Sequence, residues 1–191
     1  MTTKRKISTT LKQFLEKATT LNNITLYRGE EKEQFNPTDN SYSFFAKDKS
    51  IAEGYGDYIW TCIFKSINLF VSYEADSVRE LYDNGYKLRD EYIEFNWGED
   101  EDIMKLYDFH PDGNMDDWGY KTPEAAISSP HFDSDTWEMI EHTPGVMDYI
   151  LSKYDGVMLL EGGSLTYYID TGKIVSCVMN KKPNKPMPWD E

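Results

Sequence analysis

The chain has 191 residues, of which 39% are apolar and 15% aromatic, and its formal net charge at pH 7 is −14. This composition excludes a disordered protein, because burying so many apolar side chains can offset the entropy lost on folding. No segment approaches the roughly 18 consecutive apolar residues of a membrane-spanning helix. We therefore expect one folded domain, or at most two small ones, that makes no membrane contact.

Two further features indicate the compartment. The first residues, Met-Thr-Thr-Lys-Arg-Lys, are not followed by the apolar segment of a secretory signal. The two cysteines, Cys62 and Cys177, lie in apolar runs, and a secreted disulfide scaffold would contain more of them. We therefore expect a cytoplasmic protein in which both thiols are reduced.

The negative charge is concentrated in residues 90–141. This window holds sixteen of the 34 Asp and Glu residues but only Lys105 and Lys121 among the 20 Lys and Arg residues, so it carries the whole net charge. It would repel the phosphates of nucleic acid and attract a basic protein surface. The sequence predicts an acidic insertion that binds a basic protein; the alternative is a face that only keeps the chain soluble.

The first half of the chain alternates short helices with strands. Apolar residues at helical spacing predict a helix at 8–17, and β-prone runs predict strands at 24–28 and 41–46. Asp48 as cap and Gly56 as stop predict a short helix between them. Two further strands are predicted at 58–64 and 67–73, followed by a helix from Asp76 to Gly85.

The second half begins with the acidic insertion, where dense Gly and Pro residues predict loops and short helices. Thr122-Pro123-Glu124 opens one helix, and Thr143-Pro144 opens another. Strands are predicted at 156–160, 165–169 and 174–179, and an extended tail is predicted at 181–191. This order predicts a single α+β domain over residues 1–180, with mostly antiparallel strand pairing.

Motifs for the common cofactor and metal sites are absent. There is no glycine-rich phosphate-binding motif. The three histidines, His110, His131 and His142, lack both the i,i+4 spacing and the cysteine neighbours of zinc sites. The acidic run at 112–117 lacks the alternating ligands and the distal glutamate of a calcium loop. The sequence therefore predicts no metal.

Three segments carry the candidate functional residues. The first segment is Leu26-Tyr27-Arg28-Gly29. The second is Ser43-Phe44-Phe45-Ala46, together with Tyr55 nine residues after Ala46. The third begins at Tyr154-Asp155-Gly156-Val157 and continues through Glu161 to Asp170. Taken singly, each has an ordinary structural role: Arg28 as a surface ion pair, Tyr55 as a core residue and Glu161 as a solvated hairpin residue. Their order and separation carry more information than any one of them.

Together these segments resemble the ADP-ribosyltransferase superfamily, in particular its small phage-encoded members. The resemblance covers residues 24–73 and 150–178 and implies an ADP-ribosyltransferase-like split β-sheet. It implies that Arg28 contacts the ribose of NAD+ and that the Gly29 backbone holds the nicotinamide amide. It also implies that Phe44, Phe45 and Tyr55 line the same site, with Tyr55 stacked on nicotinamide.

The third segment resembles the closing strands of phage transferases, which implies that Glu161 is the catalytic acid. A carboxylate near the ribose stabilises the oxocarbenium charge that develops when the nicotinamide–ribose bond breaks, and no metal is required. Asp155 and Asp170 are the local alternatives, although a capping role is expected for Asp155 and a turn for Asp170.

We therefore expect an NAD-dependent mono-ADP-ribosyltransferase that modifies a macromolecule, with a basic nucleic-acid-binding protein held by residues 90–141 as the expected target. The resemblance also implies a role in phage host takeover or anti-defence. Two departures leave an alternative open: the Ser-Thr-Ser signature of arginine-modifying toxins is missing, and Leu159 stands where those toxins carry Glu or Gln. The alternative is an inactive acidic binding protein, a nucleic-acid mimic that inhibits a basic nucleic-acid-binding protein.

Overall fold

The computed structural model describes residues 19–96, 101–109 and 118–182, which form a mixed α+β structure with a sheet core. The strands are β1 (Thr19–Glu30), β2 (Tyr42–Ala46), β3 (Tyr58–Val71), β4 (Tyr107–Asp108), β5 (Gly119–Tyr120), β6 (Gly156–Glu161), β7 (Ser164–Asp170) and β8 (Ile174–Lys181). The helices are α1 (Lys49–Ala52), α2 (Ala75–Asp83), α3 (Glu91–Phe95), α4 (Glu101–Leu106), α5 (Pro123–Ile127), α6 (Thr136–His142) and α7 (Val146–Lys153), with 3-10 turns at Glu53–Tyr55 and Thr171–Lys173. Among the described residues, no helix combines the length and the apolar character that crossing a lipid bilayer requires.

The six long strands are hydrogen-bonded in the order β1-β2-β7-β6-β3-β8, and β1 also pairs with β3. Antiparallel pairing joins β1 to β2 and β3 to β8, as the sequence predicted. Strands β3 and β6 run parallel, with Leu69 opposite Gly156 and Val71 opposite Met158. The connection between β3 and β6 contains the helices α2 to α7, which is the long crossover that parallel pairing needs.

The described residues cluster into two compact units. The single domain expected over residues 1–180 stays a prediction. One unit contains residues 19–20 and 68–166, and the other contains residues 21–67 and 167–182. The boundaries fall inside β1, inside β3 and inside β7, so each of these strands contributes residues to both units.

Apolar alternation builds the core of the unit that contains β1 and β2. Leu26, Phe45 and Phe64 are almost fully buried. The ring of Phe45 meets the rings of Phe35 and Phe64 edge-on, at centroid distances of 5.8 and 5.1 Å. Aromatic pairs in this geometry add to the stability that burial itself provides.

In the other unit, helices α6 and α7 pack on strand β6. The strand contributes Val157 and Leu159, and the helices contribute Ile140 and Ile150, all of which are fully or almost fully buried. The burial of both faces of β6 matches the continuous apolar run that predicted this strand.

Strand β3 is longer than predicted. The sequence indicated two strands, at 58–64 and 67–73, whereas the structure has one continuous strand, Tyr58–Val71. The intervening Lys65 and Ser66 are exposed and contain neither glycine nor proline, so nothing in this pair breaks the extended backbone. The irregularity appears instead as a register shift against β8 between Ile63 and Phe64.

Most of the other predicted elements are confirmed. The oxygen of the Thr122 side chain accepts the N–H of Ala125 and caps α5. The three C-terminal strands appear as β6, β7 and β8. The predicted helix at 8–17 and most of the tail at 181–191 lie outside the described residues.

The prediction of reduced cysteines is corrected by the structure. Cys62 on β3 lies directly opposite Cys177 on β8, and the two are joined by a disulfide. They are 115 residues apart in sequence. Their pairing follows from the register of two strands, which the spacing of the cysteines along the chain does not reveal.

The buried aromatic cluster generates a stability prediction. Replacing Phe45 with alanine should lower the free energy of unfolding by about 3–5 kcal/mol, because the ring leaves a cavity among Phe35 and Phe64. Phe95 is the matched control, since its side chain is 85% exposed. Phe95→Ala should change stability by less than about 0.5 kcal/mol. Equilibrium urea unfolding measures both, and equal losses would contradict this account of the core.

Candidate functional site

The glycine near the end of β1 allows a close backbone approach. A Cβ atom placed on Gly29 would lie 1.7 Å from the carbonyl oxygen of Ala52 and 3.3 Å from the Cβ atom of Tyr55. Only glycine leaves room for this contact. The end of β1 therefore packs directly against the helical turn that carries Tyr55.

A second glycine holds the other side of the same turn. The φ angle of Gly56 is 153°, and an added Cβ atom would lie 2.0 Å from the carbonyl carbon of Glu30. The turn is thus fixed against β1 on both sides, while the side chain of Tyr55 stays 57% exposed. Tyr55 is therefore a surface residue beside Gly29 and does not belong to the core.

Arg28 is oriented by three neighbours. One terminal nitrogen donates to the carbonyl oxygen of Phe44 at 3.1 Å, and the other lies 2.9 Å from Oε1 of Glu30. The guanidinium carbon lies 5.1 Å from the centre of the Phe35 ring. These contacts hold a half-exposed cation at the β1–β2 pair and fit the planar geometry of arginine.

An aromatic strip lies on the opposite face of this strand pair from the guanidinium, because Tyr27 pairs with Ala46 and Arg28 therefore lies opposite Phe45. The centroids of the Phe44 and Tyr168 rings are 4.7 Å apart. The Tyr42 ring also stacks on the Tyr168 ring, with the centroids 5.6 Å apart. All three are half-buried. The sequence analysis identified Phe44 but missed Tyr168. Strand alternation could have indicated Tyr168, because it lies on the opposite face of β7 from the buried Tyr167.

Phe45 does not belong to this strip. Side chains alternate along a strand, so Phe45 points to the opposite face from Phe44 and is only 2% exposed. Its ring contributes to the core described above. We therefore no longer include Phe45 among the side chains that a ligand could reach.

Glu161 occupies the predicted position at the end of β6. The next two residues, Gly162 and Gly163, form the turn to β7 with φ angles of 55° and 76°. The half-buried carboxylate accepts a hydrogen bond from the Thr166 hydroxyl at 3.0 Å through Oε2. Glu161 lies in the compact unit of residues 68–166, whereas Arg28 and Tyr55 lie in the other unit.

The two alternative carboxylates have structural partners. Oδ2 of Asp155 accepts the backbone N–H of Asn68 at 2.9 Å. Oδ1 of Asp170 accepts the backbone N–H of Gly172 at 2.8 Å and forms the predicted Asp-Thr-Gly turn. The Asp170 contact confirms the turn role that the sequence indicated, whereas Asp155 holds the backbone of a distant strand instead of capping its own turn.

The sequence analysis missed a second cluster, which lies in the acidic insertion. Nδ1 of His131 lies 3.0 Å from Oδ2 of Asp90 and 3.5 Å from Oε2 of Glu138. One donor atom from each of these side chains falls within 4.8 Å of the others. Such donors could hold a metal ion, which the spacing of the histidines had led us not to expect.

Burial affects the acid groups around this cluster. It raises the pKa of the Glu138 carboxyl, an effect that the imidazole of His131 opposes and the charge of Asp90 reinforces. Burial also raises the pKa of the Tyr120 hydroxyl above its ordinary value. Tyr120 therefore stays protonated at neutral pH and donates to Oδ2 of Asp90 at 2.8 Å.

The sequence matches no protein-family model and no curated protein. Among solved structures, the fold is similar to the crystal structure of an anti-CRISPR protein, with a TM-score of 0.37 and 17% sequence identity. The similarity covers 84% of this chain and 96% of that chain. Similarity at this level carries no functional argument.

The approach at Gly29 generates a testable prediction. Gly29→Ala should displace the turn at 53–55 and lower the free energy of unfolding by about 1–3 kcal/mol, the usual cost of overpacking. Gly54→Ala is the matched control on the same turn, because a Cβ atom there would meet nothing within 4 Å. Thermal unfolding measures both variants. A neutral Gly29→Ala, or an equal loss in Gly54→Ala, would contradict the close contact.

Proposed function

We propose that this protein is an NAD-dependent mono-ADP-ribosyltransferase with an ADP-ribosyltransferase-like fold. The observation that supports this best is the contact at Gly29, because it joins two segments that the sequence resemblance had assigned to one nicotinamide site. Arg28 and Tyr55 are 27 residues apart in sequence, and Gly29 and Gly56 hold their backbones together.

The groups at this site suit the two ends of nicotinamide riboside. The exposed ring of Tyr55 offers a flat face to the nicotinamide ring, which leaves as a neutral aromatic molecule. The guanidinium of Arg28 is held by Glu30 and Phe44 and can donate to ribose or phosphate oxygens. Phe44 contacts that cation through its backbone carbonyl oxygen, and the role of its ring in the site stays a prediction.

The proposed reaction replaces one bond to C1′ of the ribose with another. The bond between the nicotinamide nitrogen and C1′ of the ribose breaks, and its electron pair leaves with nicotinamide. A nucleophile of the target forms a new bond to C1′ and releases its proton to solvent. On the sequence resemblance alone, we assign Glu161 as the carboxylate that stabilises the positive charge developing on the ribose; the Thr166 hydroxyl donates to this carboxylate and can orient it.

The target in this proposal is a protein with a basic surface, which residues 90–141 attract. Helices α3 and α4 carry exposed carboxylates at Glu91, Glu101 and Asp102. Large exposed side chains accompany them, with Tyr92 57% and Phe95 85% exposed. Aromatic side chains among charges provide the buried contact area that charges alone lack.

The role of Glu161 is tested by Glu161→Gln, which keeps the size of the side chain and removes its charge. Turnover of NAD should fall roughly a hundred- to a thousandfold, because one preorganised electrostatic group is lost. The affinity for NAD should change much less, because the interaction strengthens mainly in the transition state. Release of nicotinamide from labelled NAD measures turnover, and calorimetry measures binding.

The controls separate catalysis from binding and from folding. Asp170→Asn should leave turnover near normal, since Asp170 accepts a turn hydrogen bond. Tyr55→Ala should weaken NAD binding, whereas Tyr92→Ala, which removes an equally exposed ring, should not. Normal turnover in Glu161→Gln would remove Glu161 from the mechanism. If the parent neither binds NAD nor labels any protein in a host lysate, the inactive acidic binding protein becomes the better interpretation.

The acidic surface is tested by reversing charge at Glu91, Glu101 and Asp102. Replacing all three with lysine should reduce labelling of the target and weaken its dependence on salt, because long-range attraction is lost. Hydrolysis of NAD without target should not change.

The matched control reverses three exposed acids outside the insertion, Glu74, Asp83 and Asp148. It changes the net charge equally but should leave target labelling closer to that of the parent. Equal effects of the two triple variants would mean that only the total charge matters, and the assigned docking surface would be wrong.

A further inference from the structure

The strongest unassigned feature is the convergence of Asp90, His131 and Glu138. The three come from separate segments: Asp90 precedes α3, His131 lies between α5 and α6, and Glu138 lies in the first turn of α6. Nδ1 of His131 is 3.0 Å from Asp90 and 3.5 Å from Glu138. Adjacent ligands of one divalent ion with bonds near 2.1 Å are separated by about 3.0 to 3.5 Å, which matches these distances.

Asp90 is held as a buried carboxylate. Its side chain is 2% exposed. Oδ1 accepts the backbone N–H of Ile93 at 3.3 Å, and Oδ2 accepts the hydroxyl of Tyr120 at 2.8 Å. Buried carboxylates are costly unless a cation or several hydrogen bonds compensate them. The surroundings of Asp90 therefore fix its orientation and favour a positive partner at Oδ2.

Glu138 is oriented in a similar way. Its Oε1 accepts the backbone N–H of Tyr92 at 3.3 Å, so Oε2 remains directed at His131. The cap residue Asp135 accepts the backbone N–H of Glu138 and fixes the start of the helix. Hydrogen bonds of this kind orient ligands from outside the first coordination shell of metal sites.

Hydrogen bonds among the described residues do not account for the side chain of His131. Its Nδ1 atom is buried, and among the described residues no acceptor or donor meets that atom with hydrogen-bond geometry. The two carboxylate oxygens are close to Nδ1, but their directions do not satisfy a hydrogen bond from the ring. An ion lying between the three donors would satisfy the nitrogen and both oxygens together.

We propose that Asp90, His131 and Glu138 bind one divalent transition-metal ion. One imidazole nitrogen with two carboxylate oxygens suits Zn²⁺ or Mn²⁺ better than Ca²⁺ or Mg²⁺, which prefer oxygen ligands alone. Three protein ligands leave at least one coordination position for water or a further ligand. The side chains of His131 and Glu138 are 25% and 24% exposed, which gives an ion access from solvent.

The ion would link three segments of the acidic insertion and offset part of its negative charge. This role is independent of the proposed transferase chemistry, which needs no metal. Metal binding and NAD turnover are therefore separate measurements, and failure of one leaves the other unaffected.

The test uses the full chain without an affinity tag, stripped of metal and titrated with Zn²⁺, Mn²⁺ or Ca²⁺ alone. We expect one Zn²⁺ per chain, weaker Mn²⁺ binding and no Ca²⁺ binding at the same concentrations, and an increase in the unfolding temperature with Zn²⁺. His131→Gln should lower the Zn²⁺ affinity at least a hundredfold and abolish the stabilisation.

The matched control is His142→Gln. Nε2 of His142 also lies 3.0 Å from a carboxylate, that of Glu91, but no second carboxylate among the described residues completes a metal-binding group with this pair. The His142→Gln variant should therefore bind Zn²⁺ with the same affinity as the parent. Absence of stoichiometric Zn²⁺ binding in the parent, or equal binding by His131→Gln, would overturn the proposal.

A second variant and a spectroscopic measurement keep the test decisive if His131→Gln loses stability for a reason other than metal loss. Glu138→Gln retains the acceptor for Tyr92 at its carbonyl oxygen and should lower the Zn²⁺ affinity at least tenfold. Co²⁺ bound by the parent should show visible absorption bands that His131→Gln lacks. Bands that are identical in the two proteins would place the ion elsewhere.

Discussion

Repulsion among the carboxylates of residues 90–141 is the constraint around which this segment is built. The structure places acids in the first turn of its helices, where unpaired backbone N–H groups and the positive end of the helix dipole favour negative charge. These acids are Glu91 and Glu94 in α3, Glu101 and Asp102 in α4, Glu124 in α5 and Glu138 in α6. Asp90 and Asp135 accept backbone N–H groups as helix caps. Backbone donors thus stabilise carboxylates that would otherwise only repel one another.

Local patterns predicted most elements of the fold, because strands and capped helices depend on neighbouring residues. The β-prone runs became β1, β2, β6, β7 and β8, and Thr122 caps the helix that it was expected to open. Apart from β3, which was predicted as two strands, the errors concern contacts between distant parts of the chain. Parallel pairing of β3 with β6 and the register that joins Cys62 to Cys177 are set by tertiary structure, so no local pattern contains them.

The candidate site residues also divide into those that local motifs predicted and those that depend on tertiary packing. The side chains of Arg28, Phe44 and Tyr55 were found through short motifs, and their exposure is compatible with a ligand site. Phe45 was included because it is adjacent in sequence, although strand alternation sends it to the core. The donors of the second cluster are 41 and 7 residues apart along the chain, with no regular spacing, and only the packing of α3 and α6 brings Asp90 and Glu138 close.

The division of the chain into units has a consequence for how quickly it folds. Residues 21–67 must associate with residues 167–182 before their unit is complete, and about one hundred residues separate these segments. Closing so long a loop costs entropy that is offset only when β3 pairs with β8. Domains dominated by such distant contacts fold in milliseconds to seconds. During synthesis on the ribosome, β1 to β3 emerge well before β8, so their unpaired edges are exposed for the whole time needed to make the intervening segment.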